Sequence, residues 1–112
     1  MKYLLQIYAD PALAERASAD ELDAVLREYI ALAQSPGVIG GEQLQPVDTA
    51  TTVRVKDGET LLTDGAFIEA KEHLGGFFLV EADELDEALE LAARVPAVRM
   101  GGAVEVRPVV ER

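Results

Sequence analysis

Twice along this chain an apolar strand runs into a capped helix pattern and returns as a strand. That repeated unit limits the fold more than any other feature. The first unit opens with Lys2 to Tyr8, which carries leucines, isoleucine and two tyrosines and no breaker. Asp10-Pro11 ends that strand, and the alanine-rich linker through Ala17 reads as loop. Ser18 with Glu21 three residues on forms a capping box. Leu22, Val25, Leu26, Tyr29, Ile30 and Ala33 then recur at helical spacing, so a helix is predicted over 18–34. Ser35-Pro36-Gly37 stops it. Val38 to Gln45 returns as a short strand through Gly40-Gly41, and Pro46 closes it.

The second unit starts at Gly75 to Ala82, a strand apolar on both faces. Asp83 is placed as the next helix N-cap, with Glu84, Asp86 and Glu87 in a first turn that suits the helix dipole. Leu85, Ala88, Leu89 and Ala92 form the expected buried stripe, Arg94 ends the helix and Pro96 lies just beyond. Gly101-Gly102 leads into a last strand, Ala103 to Pro108. Between the units, Thr51 to Lys56 alternates and Glu59 to Thr63 returns. Asp57-Gly58 is a strong signal for a two-residue hairpin turn. Lys56 and Glu59 are placed to pair across that turn.

Two right-handed strand–helix–strand crossovers put both helices on one face of one sheet. The fold class is therefore α+β: a ferredoxin-like βαββαβ sandwich with an extra β-hairpin, one domain over 1–112. The other sheet face then needs an account. Strand alternation sets Tyr3, Leu5 and Ile7 against Leu4, Gln6 and Tyr8, and Val104 and Val106 against Glu105 and Arg107. With the first and third sets under the helices, the uncovered face shows Leu4, Gln6, Tyr8, Glu105, Arg107 and one side of Phe77–Val80. That face is too apolar for open water and too polar for a dry core. A second copy resolves the conflict, so a homodimer with sheets face to face, a dimeric α/β barrel, is expected.

Composition narrows the chemistry. The net charge of −11 repels nucleic acid, and no basic stripe offsets it. With no cysteine, disulfides and thiolate chemistry are excluded. One histidine and no regularly spaced acids argue against a metal site. There is no Gly-x-Ser-x-Gly elbow, no phosphate-cradling glycine loop and no apolar run long enough to span a membrane. The expected protein is cytoplasmic, without cofactor, metal, membrane or direct nucleic-acid partner.

Several blocks of residues carry a family likeness. They are Gly40-Gly41-Glu42-Gln43-Leu44-Gln45-Pro46, Ala50-Thr51-Thr52-Val53-Arg54, Thr63-Asp64-Gly65-Ala66-Phe67, Glu69-Ala70-Lys71-Glu72, Gly75-Gly76-Phe77-Phe78 and Val104-Glu105-Val106-Arg107-Pro108. In that order they resemble the DGPF subfamily of YCII-related proteins. The resemblance implies a dimeric α/β barrel, a fold shared with muconolactone isomerase. It also implies a regulatory setting, since some members are encoded with or fused to extracytoplasmic-function sigma factors. Members of the wider group have been proposed as enzymes through a His–Asp pair. This chain departs in two places. Ala66 stands where the signature has proline, and the first helix has no histidine, Tyr29 being its nearest plausible occupant.

The loop from Thr63 to Phe78 concentrates the candidate site residues. Asp64 is either a general base or ligand-binding acid, or a turn residue whose carboxylate accepts backbone N–H groups before Gly65. His73 is the only histidine, either a proton-transfer group or an exposed loop residue. Glu69, Lys71 and Glu72 form either a charged lid or a solvated turn. On the sheet face Arg107 and Glu105 are set for recognition or for a mutual ion pair, with Tyr8 offering a hydroxyl. Arg54 and Arg99 are candidates for an anion-binding fork. Phe67 completes the expected ligand-binding set of Tyr8, Arg54, Asp64, Phe67, Glu69, Lys71 and Arg107. The leading expectation is a dimeric binding or regulatory module whose cleft takes a small polar or anionic molecule. The alternative is a cofactor-independent isomerase or lyase using Asp64 or His73 for proton transfer.

Overall fold

The computed structural model describes residues 1–112. Strand β1 (Lys2–Ala9) lies at the centre of a four-stranded antiparallel sheet, between β5 (His73–Glu81) and β6 (Ala103–Pro108). Strand β2 (Val38–Gln43) pairs outside β5. The order β2-β5-β1-β6 is that of a ferredoxin-like α+β sandwich. Helix α2 (Ala19–Ala33) links β1 to β2, and α3 (Leu85–Ala93) links β5 to β6. The hairpin of β3 (Thr51–Lys56) and β4 (Glu59–Asp64) forms a separate two-stranded sheet, as expected of an insert. No helix is long and apolar enough to cross a membrane.

Tyr3, Leu5 and Ile7 of β1 and Phe78 and Val80 of β5 are buried beneath the helices with Leu32, Ala88, Ala92 and Val95. Val104 and Val106 pack against this cluster from β6. The face assignment made from alternation therefore holds. Ser18 caps α2 through a 3.1 Å bond accepted from the Glu21 N–H. Asp57 (φ 52°) and Gly58 (φ 80°) both turn left-handed, the geometry of a type I′ hairpin turn. Lys56 and Glu59 are register partners but form no ion pair.

Three local expectations are corrected. The segment read as loop after Asp10 contains a short helix, α1 (Pro11–Glu15), in which the Asp10 carboxylate caps the Ala12 N–H and Pro11 sits in the first turn. The cap of α3 is Glu84, with no side-chain bond, and Asp83 instead donates its N–H to Glu87 at 3.3 Å. The buried stripe of α3 is also rotated. Ala88 and Ala92 are buried with Leu91 beside them, whereas Leu85 and Leu89 stay exposed. The stripe continues through Val95 at positions i, i+3, i+4 and i+7. Beyond it Pro96 opens a further short helix, α4 (Pro96–Arg99).

Gly102 sits where β6 leaves α4. A Cβ there would lie 2.5 Å from the Tyr8 carbonyl oxygen and 3.0 Å from that of Ala97, both backbone atoms. Gly102→Ala is expected to cost about 1–3 kcal/mol through forced backbone shift. Gly75→Ala, with nothing within 4 Å, is the matched control and loses much less. Urea unfolding of the two variants measures the difference.

Candidate functional site

Two cavities and one open surface compete for the site. The first surrounds the loop the sequence singled out. Gly65 (φ 99°) turns the chain out of β4, donates its N–H to the Ala50 carbonyl at 2.7 Å and accepts the Thr52 hydroxyl at 2.9 Å. These bonds fasten the hairpin base beside a 3₁₀ turn at Val47–Thr49. The pocket between them, about 460 Å³, is lined by Asp48, Asp64, Glu69 and His73 among small and apolar residues. Asp64 lines this pocket, and its carboxylate makes no hydrogen bond to the backbone. Three carboxylates beside one imidazole attract protons, cations and hydrogen-bond donors, and they repel an anion. No cluster here has the geometry to hold a metal ion.

The remaining expected residues lie elsewhere. The Arg54 guanidinium rests 4.6 Å from the centre of the Phe67 ring, a cation–π contact on the hairpin. Arg99 is paired with Glu28. Each of the two arginines thus has its own partner within the chain. Lys71 and Glu72 are exposed on the loop, outside the pocket. Tyr8 and Arg107 belong to the open sheet face, where Arg107 and Glu105 form no mutual ion pair.

Strand register lays that face out in three rows. Arg107, Leu4, Leu79 and Gly40 form one, and Glu105, Gln6, Phe77 and Glu42 the next. Ala103, Tyr8 and Leu74 form the third, after a bulge in which Gly75 has no partner. An apolar centre of leucines and Phe77 is thus edged by Glu42, Glu105 and Arg107; Leu4, Phe77 and Leu79 are half-buried and Leu74 is exposed.

The other cavity was not anticipated from sequence. It is an apolar cleft of about 480 Å³ between α2 and the β2–β5 side of the sheet. Leu22, Leu26 and Ile30 of α2 line it and remain 42%, 51% and 51% exposed. The signal was present in two glycine pairs, Gly40-Gly41 and Gly75-Gly76. Gly41 is opposite Phe78 and Gly76 opposite Gln43, so side chains are missing from part of the floor. Asp48 was also missed, because a lone acid after Pro46 carries no spacing signal.

Tyr29 stands at this cleft, stacked on Phe78 with ring centres 6.4 Å apart. Burial raises its phenol pKa above the ordinary value, with the Ala97 backbone and Arg99 acting in the opposite sense.

Comparison with known proteins gives the family. The profile of the YCII-related domain matches residues 1–112. The chain belongs to the YCII-related family. An uncharacterised protein of Rhizobium meliloti (strain 1021) is 35% identical over 113 residues, covering 96% of this chain and 91% of that protein. Among solved structures, 5-chloro-2-hydroxyhydroquinone dehydrochlorinase from Burkholderia phenoliruptrix AC1100, in complex with 2,5-dihydroxybenzoquinone, is similar over 100% of this chain and 96% of its own. Its TM-score is 0.54 at 20% identity, which places this YCII-related chain in the same fold.

The Tyr29 shift has a measurable consequence. The folded chain keeps the phenol proton at a pH where the unfolded chain has released it. The unfolded state then binds fewer protons, so stability falls as pH rises above about 10. Tyr29→Phe should flatten this alkaline loss in urea unfolding midpoints taken from pH 8 to 11.

Proposed function

We propose that this YCII-related chain is a homodimeric small-molecule-binding module whose cleft forms between the open sheet faces of two copies. One observation carries the reading: the central rows of that face hold Leu4, Phe77 and Leu79 with Gln6 and Tyr8 only half-buried, and Leu74 exposed, in the single chain. Covering the leucines and Phe77 removes apolar area from water, worth about 25 cal/mol per Å². Arg107 then stands at the edge of the enclosed space as a cation without an intrachain partner, and Tyr8 offers a hydroxyl. A small polar molecule carrying a carboxylate or phosphate matches that cation. The loop pocket, rich in carboxylates, is the poorer place for such an anion.

A panel of small carboxylates and phosphates, followed by melting temperature, tests this reading. A ligand at 100 times its dissociation constant adds about 2.7 kcal/mol of stability. That gain should vanish in Arg107→Ala and persist in Lys71→Ala. No shift with any compound, or equal shifts in both variants, would count against an anion cleft at Arg107.

The second reading is a cofactor-independent isomerase or lyase. Asp64 and His73 line one pocket, and a dehydrochlorinase shares the fold. Proton abstraction by one group and return by the other is the chemistry such a pair supports. Asp64→Asn would then abolish turnover with the melting temperature unchanged, whereas a binding module keeps its ligand response in that variant.

A further inference from the structure

The β3–β4 hairpin is an arm with one bare apolar face. Register partners share a face, so Val53 and Leu62 stand together with Val55 and Thr60. Val53, Val55 and Leu62 are 61%, 70% and 68% exposed. Arg54, Lys56 and Glu59 occupy the opposite face, where Arg54 covers Phe67. Neither strand packs extensively on another element of its own chain. A two-stranded hairpin alone is marginal in water, and an uncovered row of β-branched and leucine side chains makes it worse.

The molecule as a whole carries the same imbalance. Its accessible surface is 8133 Å², against roughly 6,000 Å² for a compact chain of this mass. The excess of about 2,100 Å² is more than the roughly 800 Å² per partner of a standard interface and falls in the obligate class. The plate measures 46 × 44 × 19 Å, with a radius of gyration of 15.9 Å, whereas a compact chain of this length has about 13 Å. The sheet face alone does not account for so extended a shape.

We propose that the arm crosses to a second copy and lays Val53, Val55 and Leu62 into that copy's α2 cleft, the exchange running both ways about a two-fold axis. This rests on the two-copy reading above and adds to it. If the sheet faces cover each other, the arm face and the Leu22–Leu26–Ile30 cleft remain as apolar surfaces without partners, and a second copy supplies both. Their spacings agree. Alternate residues along a strand repeat at about 7 Å, and residues four apart on a helix at about 6 Å. A reciprocal exchange closes on itself and leaves no free arm to propagate a filament. Each cleft would then be completed by its partner, whose arm carries Arg54 at its middle and Asp64 at its base into the assembly.

The chain has no cysteine, so engineered pairs report without background. Val55→Cys and Leu26→Cys alter residues exposed in the single chain and leave its core intact. Under mild oxidation the double variant is expected to form a covalent dimer, and each single variant is expected not to. A covalent dimer from Val55→Cys alone would mean that the arms meet each other, and it overturns the proposal. Val53→Asp with Leu62→Asp should raise the dimer dissociation constant at least about tenfold, the equivalent of one lost aliphatic contact. Leu61→Asp, on the opposite arm face, should not. A native dimer that tolerates the Val53 and Leu62 changes and gives no Val55–Leu26 disulfide overturns the arm exchange and leaves the sheet-face dimer standing. A native chain that stays monomeric at 100 μM overturns both and assigns the arm to another protein.

Discussion

Side chains alternate along a strand, so a sheet roofed on one side must show its other residues somewhere. That period of two governs this molecule. Tyr3, Leu5 and Ile7 are drawn under α2 and α3, and Leu4, Gln6 and Tyr8 are thereby forced to the opposite face. A one-residue slip would bury Gln6 and expose Leu5, so the register is tightly held. The chain cannot satisfy both faces of β1 with two helices on one side. Its third apolar surface, the arm, and its fourth, the α2 cleft, repeat the problem at smaller scale.

The fold was legible because its signals are local and agree with one another. The Ser18 cap of α2, the Asp57-Gly58 turn and the alternation of β1 each correspond to an observed contact, torsion or register. One miss depended on tertiary packing, the other on a local cap. The stripe of α3 turned by about one residue because small Ala88 and Ala92, and not the larger Leu85 and Leu89, sit closest to the sheet. The run after Asp10 became helical because a carboxylate and a proline happened to stand at its start.

The site was less legible than the fold. Asp64, Glu69 and His73 do share a pocket, but they are close in sequence, and their grouping needed only a loop. Tyr8 and Arg107 share the open sheet face on neighbouring strands, whereas Arg54 lies apart on the hairpin. Arg54 was taken by Phe67, a contact that no spacing rule announces. Membership of the YCII-related family fixes the architecture, and the relation to a dehydrochlorinase is one of fold. The chemistry must come from the residues, and on the proposed reading a second copy completes their cleft.

The account therefore depends on whether two copies cover the bare surfaces. Sedimentation equilibrium of the native chain from 1 to 100 μM is the direct measurement. A particle of about 24 kDa, twice the 12.1 kDa of one chain, is the expected result. A single 12 kDa species across that range would contradict the dimer, the cleft between the sheets and the arm exchange together.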